Sequence, residues 1–148
     1  TDVGDHQVTG AGAAELAQLP NVEGVKQSNA ASLAPVDGLQ LYAGDDDLLR
    51  DTLDMGGAGG ILVASHIVGP QMRAMADEPE RRDAIHEELT DVFAALGVTT
   101  NPIPIKTALN LLGFEVGGFR LPIVEADERE TDTIRAMLER HQLLTAAS

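Results

Sequence analysis

The spacing of apolar residues changes near the middle of the chain. In the first half, short apolar runs alternate with glycine-rich and acidic connections. In the second half, apolar residues recur at helical spacing. The runs favour a helix stopped by Pro20, then three strands with a helix between the second and third. The predicted helices are residues 12–20 and 45–57, and the predicted strands are residues 21–29, 39–44 and 59–69. This alternation with short connections is typical of a parallel sheet built from βα units.

The remaining chain predicts helices only. Residues 71–97 carry apolar positions at helical spacing with a break near Pro79, and proline-led residues 101–113 and amphipathic residues 126–144 follow. The predicted inward positions are Ile85, Leu89, Val92, Leu96, Ile134, Met137, Leu138 and Leu144. Three strands are too few to close a barrel. We therefore expect a chain that pairs with copies of itself or forms part of a larger fold.

Charge and composition narrow the classes of partner. The 148 residues carry a net charge of −14, which disfavours binding to nucleic acid phosphates and to anionic membrane surfaces. No cysteine is present, so disulfides and thiolate metal sites are excluded. No signal-peptide pattern and no apolar run long enough to span a membrane occur in the sequence, which predicts a soluble cytoplasmic protein.

Lys26 is the strongest candidate for chemistry. It is one of two lysines, the other being Lys106, and it falls inside a short apolar predicted strand. Burial there would favour the neutral amine, which is the form that condenses with a carbonyl group. Gly24, two positions earlier on the same face, would leave room for a small substrate. The alternative is a structural lysine that reaches solvent or pairs with a carboxylate.

Other candidates surround the second predicted strand. Asp45 to Asp47 follow it and precede a helix, where helix capping explains one or two of them and proton transfer stays open. No metal site is expected, because no histidine or glutamate lies nearby at ligand spacing. Gly44 permits close approach of a ligand to the backbone. Tyr42, the only tyrosine, is expected to pack in the core or to relay protons.

Two further residues are singled out by position. His66 falls late in the third predicted strand, where a lone histidine is usually structural. Lys106 falls in the first turn of a predicted helix, where a cation is poorly placed against the helix dipole. We therefore expect Lys106 to have a specific partner, such as a carboxylate.

Five segments, in this order and at this spacing, resemble the second half of the dihydrodipicolinate synthase family. They are NVEGVKQSN, LYAGDDDLL, GGAGGILVASHIV, NPIPIKTALNLLG and FRLP. The resemblance runs from about Ala13 to about Leu144. Each segment alone is only modestly specific, but five in register are specific. The same superfamily includes N-acetylneuraminate lyase and 2-keto-3-deoxygluconate aldolases.

The resemblance implies an α/β fold that is part of a (β/α)8 TIM barrel, with the predicted strands as strands six to eight and a C-terminal helical extension. Residues 1–77 would form the partial barrel and residues 78–148 the helical region. Asn101, Pro102 and Lys106 would belong to the helix that closes the C-terminal region, where a structural role is expected.

The resemblance also implies roles for four residues. Lys26 matches the lysine that forms a Schiff base with pyruvate, so no cofactor and no metal would be needed. Gly44 and Asp45 match the strand-seven motif at the rim of the site. Ile61 matches the position whose backbone lines the pyruvate pocket.

The sequence departs from the family pattern at several points. The paired threonines of strand two have no counterpart, and no tyrosine stands at the strand-five position, at or just before Thr1. The arginine that grips the second substrate is also missing from residues 3–6, where His6 is the nearest basic residue. Gln27 replaces a frequent glutamate, and the helix after strand six is reduced to a short turn.

The expected activity is that of a class I aldolase-type lyase resembling 4-hydroxy-tetrahydrodipicolinate synthase, which condenses pyruvate with an aldehyde such as aspartate semialdehyde. Because the proton relay and the carboxylate clamp are missing, little turnover is expected from this chain alone. One alternative is a non-catalytic partial barrel that associates with itself or with a partner subunit. Another is a 2-keto-3-deoxy sugar-acid aldolase. Unpaired sheet edges predict a homo-oligomer or a complementing half-barrel.

Overall fold

A computed structural model describes residues 10–144, and every structural statement concerns that part of the chain. The helices are α1 (Gly10–Leu16), α2 (Leu49–Asp54), α3 (Ser65–Asp77), α4 (Arg82–Leu96), α5 (Ile103–Leu111) and α6 (Glu128–Arg140). The strands are β1 (Gly24–Gln27), β2 (Gln40–Ala43) and β3 (Gly59–Gly60). Single 3₁₀ turns occupy Ala30–Ser32, Asp46–Leu48 and Pro79–Arg81.

The chain divides into two compact units, one ending at Leu62 and the other beginning at Val63. The division predicted from the sequence, after residue 77, differs from this boundary. The reason is α3, which packs against α4 and α5 and therefore belongs to the second unit.

The first unit contains a parallel sheet with the strand order β1, β2, β3. Leu41 and Ala43 of β2 are buried on the face of the sheet against which α2 packs. The opposite face carries Gly24, Lys26 and Gln40, which are exposed, and Tyr42, which is partly buried. We call this surface the open face. The first two predicted strands are confirmed in position, and both are shorter than predicted.

The third predicted strand is wrong in extent. Only Gly59 and Gly60 pair with β2, and α3 begins at Ser65. An apolar run of this length fits a buried helix as well as a strand, because periodicity alone does not separate the two. Val68, where the helix backbone is kinked (φ −126°, ψ 35°), is fully buried. His66 therefore lies on a helix, exposed, and not in the sheet.

Two glycines end α2, as the sequence predicts. Gly56 has φ +81°, and its N–H donates to the Leu53 carbonyl at 3.0 Å. The N–H of Gly57 donates to the Thr52 carbonyl at 2.8 Å, which completes a Schellman motif. A Cβ at position 57 would lie 2.5 Å from Thr52 Cγ2 and 2.9 Å from the Leu41 carbonyl oxygen.

This geometry predicts that Gly57→Ala destabilises the protein more than Gly56→Ala. The first forces a methyl group into fixed backbone atoms, which should lower the free energy of unfolding by about 2–3 kcal/mol. The second meets nothing within 4 Å and should suffer only the left-handed backbone strain, about 1 kcal/mol. Urea unfolding of both variants measures the difference. Equal losses would contradict the close packing at position 57.

The second unit is a helical assembly in which α6 packs against α4 and α5. The positions Ile85, Leu89, Val92 and Leu96 of α4 are buried, as are Ile134, Met137 and Leu138 of α6, which confirms the helical spacing read from the sequence. The predicted break near Pro79 is also confirmed, by the 3₁₀ turn between α3 and α4. Leu144 is only partly buried. No helix within residues 10–144 is long and apolar enough to cross a membrane.

A polar contact joins α4 to the end of α6. His141 Nε2 donates to Asp91 Oδ1 at 2.7 Å, and Arg140 Nη1 donates to Asp91 Oδ2. Burial by itself would raise the pKa of Asp91, but the hydrogen bonds from His141 and Arg140 outweigh it, so the pKa is lowered. The ionised carboxylate is therefore the form that the folded state stabilises.

Asp91→Asn should consequently lower the free energy of unfolding by about 1 kcal/mol at pH 7, a value reduced by the partial exposure of the pair. A lowered folded pKa adds stability above the unfolded value, and this stability is lost as the pH falls through the folded pKa. The difference between the variant and the wild-type protein should thus begin to shrink as the pH falls below about 4, and it should vanish below the folded pKa. Thermal unfolding from pH 7 to pH 3 measures it, with the exposed Asp77→Asn as control. A difference that persists unchanged at pH 3 would exclude the ionic contact.

Candidate active site

Two of the predicted site residues meet at the carboxyl end of the sheet. Lys26 is the third residue of β1, and Gly44 directly follows β2. The Gly44 N–H donates to the Gln27 carbonyl at 2.7 Å, which extends the pairing of the two strands by one residue. A Cβ at Gly44 would lie 3.1 Å from Lys26 Cγ and would overlap Ser28 Oγ. Glycine is therefore required here by the side chains of β1, whereas the sequence suggested close approach of a ligand.

The predicted burial of Lys26 is wrong for the chain as described. The side chain stands on the open face and is exposed. Its apolar neighbour Val25 lies on the opposite side of the strand and is partly buried. The argument for chemistry at Lys26 depends on its position at the carboxyl end of a parallel sheet.

Asp45 directly follows Gly44, and it is near enough to Lys26 for the two charges to interact. It occupies the position before the 3₁₀ turn Asp46–Leu48 but makes no capping hydrogen bond through its side chain within the described chain. Burial raises the pKa of Asp45, repulsion by Asp47 raises it further, and the positive charge of Lys26 opposes both effects. Capping therefore does not explain this residue. An acid with a raised pKa next to an amine is a candidate for proton exchange with it.

Ile61 lies at the end of β3, on the far side of β2 from Lys26. Its N–H donates to the Ala43 carbonyl at 2.9 Å, so the sheet already uses this backbone donor. The side chain is 63% exposed. The structure thus groups Lys26, Gly44 and Asp45 and places Ile61 one strand further along the same edge.

Sequence reasoning missed two residues next to Lys26. The hydroxyl of Ser28 lies over Gly44, on the same side as the lysine. The Gln27 side-chain amide donates to the Ala34 carbonyl at 3.1 Å, and its oxygen accepts from the Ala34 N–H at 2.9 Å. This double hydrogen bond ties the connection after β1 to the strand. It also explains the departure from glutamate, because a carboxylate cannot donate to the Ala34 carbonyl.

Lys106 has a specific partner, as predicted, but of another kind. Its ammonium group donates to the Gly118 carbonyl and lies 4.6 Å from the centre of the Phe119 ring. These contacts fix the segment after α5 to the helix, which supports the structural role expected for this lysine.

No group of three histidine, aspartate or glutamate side chains in residues 10–144 is arranged to hold a metal ion. The positions where the tyrosine and arginine of the family would fall, Thr1 and residues 3–6, lie outside the described residues together with His6.

Comparison with known proteins decides the family. A model of the dihydrodipicolinate synthetase family matches residues 6–141. The chain belongs to this family. The 4-hydroxy-tetrahydrodipicolinate synthase of a Cyanothece species is 41% identical over 144 residues, which cover 88% of this chain and 49% of that protein. The corresponding enzyme of Dehalococcoides mccartyi is 42% identical over 136 residues, covering 84% of this chain and 46% of that protein.

Solved dihydrodipicolinate synthases share the fold. The enzyme of Cyanidioschyzon merolae, solved with lysine bound, superposes with a TM-score of 0.83 at 34% identity and covers 92% of this chain and 50% of that one. The Thermotoga maritima enzyme superposes with a TM-score of 0.84 at 32% identity, covering 93% and 52%. Members of the family with solved structures are TIM barrels, and the chain spans about half the length of the relatives that it matches.

Proposed function

We propose that the chain provides the nucleophile-bearing part of a Schiff-base-forming lyase that condenses pyruvate with a small aldehyde. The observation that carries the proposal is the place of Lys26, at the carboxyl end of β1 with its side chain against Gly44, in a chain of the dihydrodipicolinate synthetase family. Active sites of TIM barrels lie at this end of the strands. In the complete barrel, β1 to β3 would be strands six to eight.

The proposed reaction begins when the Lys26 amine attacks the ketone carbon of pyruvate. Loss of water gives an imine, and removal of a methyl proton gives an enamine whose carbon attacks the aldehyde. The amine must first lose a proton, and Asp45 is the neighbouring carboxylate whose raised pKa makes it a better acceptor than a free aspartate. The covalent imine serves as the electron sink, so the proposal needs neither a cofactor nor a metal.

Turnover requires more than Lys26. The paired threonines, the tyrosine and the arginine that the family pattern includes have no counterpart in the 148 residues. We therefore propose that imine formation is possible in this chain, and that full condensation with aspartate semialdehyde requires the part of the barrel that carries these residues, which a second copy of the chain could not supply.

Reduction of a trapped imine tests the proposal. The protein is incubated with pyruvate and sodium borohydride, digested, and analysed by peptide mass spectrometry. A reduced pyruvate adduct on the peptide that contains Lys26 is the expected result. An unmodified Lys26 at saturating pyruvate would remove the case for chemistry at this amine.

A second candidate function is a non-catalytic partial barrel that supports a partner subunit. The exposure of Lys26 on the open face favours it, because an uncovered sheet face is a surface for association. Light scattering after size exclusion, with and without the N-terminal half of the Cyanothece enzyme, separates the two readings. A stable monomer under both conditions would count against association. A sugar-acid aldolase of the same superfamily is distinguished only by the aldehydes that a completed barrel accepts.

A further inference from the structure

Tyr42 is the largest side chain of the open face. It pairs in register with Lys26 on the neighbouring parallel strand, so the two side chains leave the sheet on the same face. Gly24 pairs with Gln40 one repeat earlier along both strands. The Tyr42 side chain does not project straight out of the sheet beside Lys26. Its hydroxyl donates to Gln40 Oε1 at 2.7 Å, which draws the ring back toward the amino end of the strands.

The ring lies directly over Gly24. A Cβ at that position would be 2.9 Å from Tyr42 Cε2 and 3.4 Å from Cδ2. The room beside the amine that Gly24 was expected to leave for a substrate is thus taken by Tyr42, and that prediction is wrong. Glycine at position 24 is required by the ring, since any side chain would displace it.

The Cγ of Lys26 lies toward the opposite end of the strands. Its Cγ approaches Gly44, which follows Tyr42 by two residues and therefore lies one repeat closer to the carboxyl end of the sheet. Its charge acts on Asp45, the next residue along. A flexible four-carbon side chain on an uncovered surface has many conformations, so this direction needs a physical cause.

We propose that Tyr42, anchored by Gln40 over Gly24, is a positioning residue that closes the amino-terminal side of the open face and directs the Lys26 amine toward Gly44 and Asp45. The ring acts by occupying space. The hydroxyl is engaged with Gln40, on the side of Tyr42 away from Gly44, so proton relay by Tyr42 is not part of the inference. The consequence for imine formation rests on the proposed function, but the placement of the amine is testable without it.

The first test follows the Asp45 carboxyl by carbon-13 NMR as the pH is varied. Asp47 and Lys26 are the charged groups that act on Asp45. In Tyr42→Ala the amine leaves Asp45, so the pKa of Asp45 should rise above its wild-type value and approach the value in Lys26→Met. Tyr42→Phe keeps the ring but loses the hydrogen bond to Gln40, so its Asp45 pKa should lie between those of the wild type and of Tyr42→Ala.

A double-variant cycle removes direct effects of the ring. In the Lys26→Met background, Tyr42→Ala should leave the titration of Asp45 unchanged, because no amine remains to be moved. The inference is overturned if the pKa of Asp45 in Tyr42→Ala equals the wild-type value. It is also overturned if Tyr42→Ala changes this pKa equally with and without Lys26. Should Tyr42→Ala fail to fold, Tyr42→Leu replaces it, since leucine keeps apolar bulk but does not extend over Gly24.

The second test fills the space left by the Tyr42 ring with a side chain on β1. Tyr42→Ala should slow borohydride trapping of pyruvate at Lys26 about tenfold or more, since a misplaced amine meets the carbonyl less often in a reactive geometry. Adding Gly24→Leu refills the space and should recover most of the rate, which a loss of stability alone would not produce. If the wild-type protein forms no reduced pyruvate adduct but the Asp45 pKa values change as expected, the proposed function is refuted and the positioning role is retained. Trapping in Tyr42→Ala at the wild-type rate refutes the positioning role.

Discussion

We expect Lys26→Arg to abolish the reduced pyruvate adduct and Lys106→Arg to leave it unchanged. A guanidinium keeps the positive charge at position 26 but is not a nucleophile, so no imine forms. The two variants are matched, because the sequence contains no other lysine. Lys106 contacts the Gly118 carbonyl and the Phe119 ring.

The measurement is peptide mass spectrometry after borohydride reduction with pyruvate, and mapping separates the Lys26 peptide from the amino terminus. Because Lys26 is exposed, its replacement by arginine should change the free energy of unfolding by less than about 0.5 kcal/mol. A lost adduct would then report chemistry and not unfolding. An adduct that survives in Lys26→Arg at full yield would assign it to another amine and remove the nucleophile from the proposal.

Completion of the barrel should have the largest effect on turnover. Mixed and refolded with the N-terminal half of the Cyanothece enzyme, the chain should condense pyruvate with aspartate semialdehyde about 10²- to 10⁴-fold faster than alone. This gain is the usual contribution of general acid–base groups, which the family pattern places in the missing strands. The rate of product formation, followed by absorbance in a coupled assay, measures it.

A matched control uses the same half with its strand-five tyrosine replaced by phenylalanine. It should associate equally well and recover much less of the rate. If the chain alone turns over as fast as the complex, the missing proton relay is not needed and the incompleteness argument is wrong. If the two halves do not associate, the complementing half-barrel is excluded as the partner.

The elements that the sequence predicted well are those with a clear local period. In α4 the inward positions Ile85, Leu89 and Val92 follow the helical spacing, and glycines end α2 where the turn demands a left-handed residue. The prediction for the run from Gly59 to Gly69 failed because the run is apolar nearly throughout, so no period distinguished two strand residues from the buried helix that follows.

The sequence predicted where the residues of the candidate site lie on the strands, but it did not predict which residues surround them. Strand alternation placed Lys26 correctly on one face of β1, yet whether that face is covered depends on elements distant in the sequence or outside it. The contact between Gly24 and Tyr42 depends on the register of β1 against β2, which neither strand specifies alone. The bond from Gln27 to Ala34 depends on the path of a loop that carries no recognisable motif.

The composition of the open face determines how a complementing half could be held. Gly24 and Gln40 offer little aliphatic surface, Lys26 offers only its methylene groups, and the Tyr42 ring is already packed on Gly24. At about 25 cal/mol per Å² of apolar area removed from water, such a lining adds little to the free energy of assembly. The affinity between two halves would therefore come from strand edges and outer helices. Substitutions inside the barrel would then alter the chemistry without dissociating the complex.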